Sequence, residues 1–168
     1  SVNVYADTYE DAKNSDIVVI TSGIGRRPGQ SRLELVQTNV GIIKQISAEI
    51  VKAAPNAIYI LVANPVDILT YTFCKCSGLP QSQIIGSGTI LDTARLRARI
   101  SEYYDISQQN VHAYVFGEHG DSSFVPWSVA NIAGVKLDEY QNSENTKRKG
   151  IEELDRDEVV EYVHKSGG

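Results

Sequence analysis

Methionine is absent from the 168 residues and cysteine occurs only twice. So sparse a cysteine content excludes a disulfide scaffold, which takes several bridges to hold a small core. Cys74 and Cys76 stand two apart in a segment of helical pattern, where such side chains do not face each other. Neither a disulfide nor a shared metal is expected between them. Reduced thiols fit a cytoplasmic setting. Nowhere is there an apolar run of roughly 18 residues, so no membrane-spanning helix is expected. The chain also lacks a basic leader with an apolar core and a small-residue cleavage site, the marks of a secretory signal. Basic charge is not in excess: 16 Lys and Arg face 21 Asp and Glu, a formal net charge of -5. A nucleic-acid-binding face is usually basic, so nucleic acid is not an expected partner. A small anion in a locally basic pocket remains open. With no methionine, a strand-like opening at Ser1 to Tyr5 and a helical stretch running to Ser166-Gly167-Gly168, both ends read as interior to a longer protein.

What is present is ordinary globular usage, 42% hydrophobic and 22% charged. A chain of this length buries roughly 70% of its unfolded surface. Residues 2–6 alternate as a short strand, and 8–14 suit a short helix. Residues 16–21 form a nearly continuous apolar run, as in a parallel strand buried on both faces. Three glycines, a proline and two arginines from Ser22 to Ser31 mark a surface loop. Leu33, Val36, Val40, Ile43, Ile46, Ile50 and Val51 recur at three- and four-residue spacing, predicting a helix over 33–54. A strand at 58–62 and a helix at 67–77 closed by Gly78 follow. This strand–helix–strand–helix order predicts a parallel sheet with crossover helices. Further along, the pattern predicts a strand at 84–86, a helix at 91–104, a strand at 111–116 and more strand at 126–135 with a turn at Gly134. A polar loop at 138–149 and a charged helix at 151–164 complete the reading.

Ligands of open parallel sheets bind beyond the carboxyl ends of the strands. Three strand ends there present Arg26, Arg27, Arg32, Asn64 and His119. His119 sits in a glycine-flanked turn near Glu118 and Asp121, and a histidine can donate or accept a proton near neutral pH. It could equally be structural, the reading preferred for His112 and His164. Asp92 and Arg95 share one helix face. They could form a surface ion pair worth well under ~1 kcal/mol. Alternatively, the arginine could fork a carboxylate while the aspartate orients an imidazole. Gly23-Ile24-Gly25 is not a full dinucleotide fingerprint, because Arg27 and Pro28 stand where a third glycine is needed. No phosphate cradle and no metal site are read from these residues.

Five stretches in order resemble the lactate/malate dehydrogenase family: Thr21-Ser22-Gly23, Pro28 through Arg32, Val62-Ala63-Asn64-Pro65-Val66-Asp67, Gly86 through Arg95, and Gly117 through Ser122. The likeness runs from about residue 2 to residue 137, and the remainder matches weakly. It implies an α/β chain, the C-terminal part of a Rossmann-like parallel sheet at 1–88 followed by the start of an α+β substrate domain at 89–168. The family's glycine-rich motif and ribose-binding acid would precede residue 1, and the rest of the substrate domain would follow residue 168. The resemblance implies NAD as cofactor and a small 2-hydroxy or 2-oxo acid as substrate. It further implies a homo-oligomer, a dimer or tetramer, in the cytoplasm. His119 would be the proton donor and acceptor, Asp92 its partner, Arg95 the clamp on the substrate carboxylate and Arg32 the polariser of the carbonyl. Asn64 would bond near the reacting oxygen and the nicotinamide, with Thr21, Ser22, Gly23 and Val62 along the cofactor. The Gly117–Ser122 and Ser31-Arg32-Leu33 contexts look more like the lactate-acting branch. Arg26, two before the loop proline, keeps malate and oxaloacetate as the alternative. From another class, a non-catalytic fragment or an oligomerisation module built on helix 33–54 remains. Lacking the glycine-rich motif, the 168 residues alone are expected not to turn over substrate.

Overall fold

Ser31 and Glu34 start the longest helix, α1 (Arg32–Ala53), with a reciprocal cap. The Glu34 amide donates to the Ser31 hydroxyl at 3.2 Å, and the Glu34 carboxylate accepts from the Ser31 amide at 2.9 Å. Those bonds satisfy donors that a helix start would otherwise leave unpaired. The Ser31 hydroxyl and amide also hold the Glu34 carboxyl below its ordinary range. At the far end the Tyr59 hydroxyl donates to the carbonyls of Ala54 at 2.8 Å and Ile50 at 3.2 Å. Burial pushes that phenol upward from its usual value.

The computed structural model describes residues 2–4, 8–25, 28–29 and 31–166, the side chains of Arg32 and Asn145 aside. It divides into two units, Ser1–Gly88 and Thr89–Gly168. In the first, strands β1 (Ile17–Ile20), β2 (Ile58–Leu61) and β3 (Ile84–Gly86) form a parallel sheet in that order. Ile17 pairs with Ile58, and Tyr59 with Ile84. Helices α1 and α2 (Val66–Ser77) cover one face, where Ile20, Ile43, Tyr59, Leu61, Leu69 and Phe73 make the core. Each such side chain contributes about 1.5–3 kcal/mol by leaving water. Gly78 ends α2 in the left-handed conformation, which glycine adopts without strain. Gly86 answers a different need: a Cβ there would lie 2.6 Å from the Thr70 hydroxyl, so only a glycine lets α2 approach β3 so closely.

Two expectations about this unit fail. The apolar run at 16–21 suggested burial on both faces, yet Ile17 is 59% and Val19 54% exposed. Both crossover helices pack on the opposite face, so a continuous apolar run here records a strand with only one side covered. The expected strand at 2–6 also fails where it is described: Val2, Asn3 and Val4 are exposed coil without ladder partners, and Tyr5 and Ala6 lie outside the described residues. The short helix at 8–14 shrinks to a 3₁₀ turn at Tyr9–Ala12.

In the second unit α3 (Ile90–Tyr104) carries a row at four-residue spacing, Asp92, Leu96, Ile100 and Tyr104, all buried. Around it lie β4 (Val111–His112), β5 (Asn131–Ile132) and β6 (Val135–Lys136), a small antiparallel sheet. Burial alternates from Val111 to Phe116 as expected of a strand, but the ladder stops at His112. Beyond it, backbone groups are satisfied by side chains of α3 and of Thr89, the residue that precedes it. The Val115 amide donates to the Thr93 hydroxyl at 2.9 Å, the Thr89 hydroxyl donates to the Val115 carbonyl, and Arg97 Nε donates to the Ala113 carbonyl at 3.0 Å. A backbone needs partners but not a second strand. The expected strand at 126–135 resolves into a 3₁₀ turn at Trp127–Val129 and the hairpin β5–β6.

The stretch read as a polar loop contains helices α4 (Leu137–Gln141) and α5 (Glu144–Arg148). Leu137 and Thr146 anchor them by burial, and the Thr146 hydroxyl donates to the Tyr140 carbonyl at 2.9 Å. Helix α6 (Arg156–Lys165) begins later than residue 151 because Asp155 is its cap, accepting from the Asp157 and Glu158 amides at 3.0 Å each. Its Val159 and Val163 join the core beside Leu96 and Ile100.

Candidate active site

Asp92 heads the buried row of α3 and is 6% exposed. A carboxylate placed where leucine would be expected must find charged or hydrogen-bonding partners. It has two: Oδ2 lies 2.6 Å from His119 Nδ1, and Oδ1 accepts from Arg95 Nη1 at 3.3 Å. Its place in the first turn of α3 adds the favourable end of the helix dipole.

The loop that carries His119 is closed at its base by Phe116 and Phe124, whose amides donate to each other's carbonyls at 2.9 Å. Gly117 turns the chain there at φ +96°, a conformation that a residue with a side chain adopts only with strain. The Ser123 amide donates to the Gly120 carbonyl at 3.1 Å, while the Ser122 hydroxyl donates to Glu118 at 2.9 Å. Since Val115, two residues upstream of Gly117, is tied to Thr89 and Thr93, α3 presents Asp92 and also positions the loop. A cavity of about 180 Å³ opens beside this pair, lined by Asp92, Arg95, His119, Asp121, Ser123 and His164.

In the first unit, Thr21, Ser22 and Gly23 leave the end of β1 exposed. Val62 leaves the end of β2 at 42% exposure. Asn39 of α1, buried to 1% exposure, joins these two ends. Its Oδ1 accepts from the Ile24 amide at 2.9 Å, and its Nδ2 donates to the carbonyls of Ile24 at 3.2 Å and Asn64 at 3.0 Å. The Asn64 side chain itself accepts from the Val66 amide at 3.3 Å. A Cβ on Gly23 would come within 3.3 Å of the Ala63 Cβ, so the two strand ends pack closely. Adjacent parallel strands ending in a glycine and small side chains suit an extended nucleotide laid across them.

The structure thus brings Asp92, Arg95 and His119 together, and separately Thr21–Gly23 with Asn64. The strand-end rule does not account for His119, because its loop follows an antiparallel sheet rather than the parallel one. Arg26 and Arg27 lie outside the described residues, as does the Arg32 side chain. Two residues escaped sequence reasoning. Asn39 sits within an otherwise regular helix, and a polar residue next to apolar Val40 was a faint signal. His164 was read as structural or exposed; it is half-buried, its Nε2 lies 2.8 Å from the Ser123 hydroxyl and it lines the cavity, a contact that sequence reasoning did not name. Nothing in the linear pattern links residues 123 and 164. Among the described residues, no group of three His, Cys, Asp or Glu is arranged to hold a metal ion.

The family model for the NAD binding domain of lactate/malate dehydrogenase matches residues 1–86, and that for the alpha/beta C-terminal domain matches residues 89–167. The chain belongs to the lactate/malate dehydrogenase family. It is 45% identical over 172 residues to an L-lactate dehydrogenase of Clostridium perfringens, covering 99% of this chain and 54% of that one. To L-lactate dehydrogenase 1 of Clostridium acetobutylicum it is 52% identical over 139 residues, 83% of this chain and 44% of that one. Among solved structures, the ligand-bound minor L-lactate dehydrogenase of Enterococcus mundtii matches with a TM-score of 0.89 at 38% identity, covering 98% of this chain and 51% of that one. The apo malate dehydrogenase of Picrophilus torridus matches with a TM-score of 0.82 at 34% identity, covering 95% and 46%. The chain spans about half the length of the curated relatives it matches.

Proposed function

We propose that the protein containing this chain is an NAD-dependent L-2-hydroxyacid dehydrogenase that interconverts L-lactate and pyruvate. The observation that carries this reading is the 2.6 Å contact between the buried Asp92 carboxylate and His119 Nδ1 at the edge of a small cavity. The cofactor, when bound, would supply the hydride that the ketone carbon takes up. The protein's task is to place the acid, bring a proton to the developing alkoxide and hold the carboxylate. Asp92 takes Nδ1 and fixes the ring, so that proton transfer runs through Nε2. Arg95 is one helical turn away and spends one of its donors on Asp92, leaving the fork to grip a substrate carboxylate. Thr21, Ser22, Gly23, Val62 and Asn64 would hold the nucleotide along the two strand ends. Arg32 would polarise the carbonyl. In a cavity this small, displacing water strengthens the charge interactions of Asp92, Arg95 and His119.

The lactate relatives at 45% and 52% identity support pyruvate as the oxo acid. Arg26 in the loop favours the second reading, malate and oxaloacetate, because a distal carboxylate needs a cationic partner. The 168 residues alone are expected not to turn over. We also place the enzyme in the cytoplasm as a homo-oligomer. Free thiols at Cys74 and Cys76 support the first assignment, and exposed apolar Ile90 and Leu91 support the second. The deciding experiment purifies the complete gene product and follows NADH oxidation with pyruvate and with oxaloacetate, alongside light scattering for subunit number. Efficient turnover of pyruvate over oxaloacetate supports the reading. The reverse preference supports the malate alternative, and turnover of neither means a non-catalytic module.

A further inference from the structure

Two histidines face the cavity, and the proton-transfer scheme uses only one. His164 comes from α6, a different element from the His119 loop, and meets that loop at Ser123. Its Nε2 is 2.8 Å from the hydroxyl of Ser123. Ser123 is only 7% exposed, so its hydroxyl gets little from solvent and depends on that imidazole. The same residue closes the turn below His119 through its amide bond to the Gly120 carbonyl at 3.1 Å. The His164 side is also firmly held, because the preceding Val163 and Val159 are packed in the core with Leu96 and Ile100.

We infer that His164 is a positioning residue: acting through Ser123, it holds the loop that aims His119. The inference rests on the dehydrogenase reading for its effect on turnover. The loop has a glycine on each side of the His119 segment, at 117 and 120, which makes its backbone permissive. Asp92 fixes one nitrogen of the ring, while the turn beneath it is held by bonds within the loop itself, such as Ser123 amide to Gly120 carbonyl. The Ser123–His164 contact adds a tie from the turn to α6, outside the loop. The bond suits either protonation state of His164, since a neutral Nε2 accepts from the hydroxyl and a protonated one donates to it. The other charged side chains lining the cavity are Asp92 and Arg95 from α3 and Asp121 from the loop, while Glu161 and Lys165 on α6 pair with each other in solvent. Precise aim matters here, because a misplacement of about 1 Å can cost on the order of 10²-fold in rate.

The test uses the complete gene product with His164→Ala, His164→Gln, Ser123→Ala and the Ser123→Ala/His164→Ala double variant. It measures kcat and NADH KM for pyruvate reduction, and amide hydrogen exchange over 117–124. Loss of one such bond predicts that His164→Ala lowers kcat about three- to tenfold and speeds loop exchange by a similar factor, with NADH KM unchanged. His164→Gln, whose amide can still reach the hydroxyl, should recover most of the loss, and the double variant should fall no further than either single one. A kcat and loop exchange within about twofold of wild type in His164→Ala, or additive losses in the double variant, overturn the inference. Should His164→Ala fail to fold, Ser123→Ala removes only an oxygen and carries the same expectation. A wild type that does not reduce pyruvate refutes the dehydrogenase reading, and the exchange measurement then decides by itself whether His164 holds the loop.

Discussion

The two units bury their apolar surface in different ways, and the kinds of candidate site residue differ with them. The first lays α1 and α2 on one face of a parallel sheet and leaves Ile17, Val19 and Ile85 open on the other. Its candidate contacts are backbone and small side chains at strand ends, where a ligand can lie across the chain. The second closes a core around α3 and encloses Asp92 with the apolar residues. A carboxylate in that position is tolerable only with partners, and the partners it has, an imidazole and a guanidinium, are the groups acid–base chemistry uses. An open edge favours binding of an extended ligand, whereas a closed core creates the setting in which a titratable group acts on its neighbours.

The largest expected effect sharpens this contrast. In the complete gene product, His119→Asn should lower kcat by roughly 10²–10⁴-fold, while NADH affinity, assigned to the first unit, stays within about twofold. Pre-steady-state reduction of pyruvate and fluorescence titration with NADH separate the two, and a kcat loss below about tenfold would make His119 structural.

Next comes packing. Leu96 is 0% exposed, so Leu96→Ala should cost about 2–5 kcal/mol in denaturant unfolding. Val19, 54% exposed on the open face, should tolerate Val19→Ala with a cost below about 1 kcal/mol. Equal costs would mean that the open face is covered in the complete protein, and the comparison would break.

Gly86→Ala probes the close approach within the first unit. With Thr70 Oγ1 at 2.6 Å from the added Cβ, overpacking should cost about 1–3 kcal/mol. Thr70→Ala should restore most of it, and thermal unfolding of the single and double variants reads this directly. A Gly86→Ala variant as stable as wild type would show that α2 and β3 can separate freely.

The smallest effect is at alkaline pH. Burial pushes the Tyr104 phenol up to about 12 from its ordinary value of 10.0. Its stabilising share is therefore complete below pH 10 and is lost between about 10 and 12, where the unfolded chain ionises and the folded one does not. Tyr104→Phe should flatten the fall in stability across that window, and an unchanged slope would mean that the ring is not effectively buried. The hydroxyl bond to Gln141 at 2.8 Å would be lost at every pH.

Much of the fold was legible because helices and strands announce themselves by local periodicity. The apolar spacing of α1 from Leu33 to Val51, the stop at Pro55 and the glycine after Ser77 required no knowledge of neighbours. The failures have one cause. At 16–21 an apolar run could not say how many of its faces would be covered. At 113–115 the pattern showed alternation but not that α3 side chains would replace a partner strand. At 138–149 polar residues concealed helices anchored by Leu137 and Thr146. Each outcome depends on what lies across the fold rather than along it.

The sequence by itself determined the α/β class, the main helices and parallel strands, and the short set of residues able to do chemistry, His119, Asp92 and Arg95 among them. Residue type and spacing suffice for that, because propensity, capping and side-chain chemistry are local properties. Tertiary structure alone decided that Asp92 is buried, that its two oxygens divide between His119 and Arg95, that Asn39 ties two strand ends together and that His164 reaches Ser123. Those bonds join residues that only packing brings within hydrogen-bond distance. Their strength comes from exclusion of water, which the folded core supplies and a linear pattern does not record.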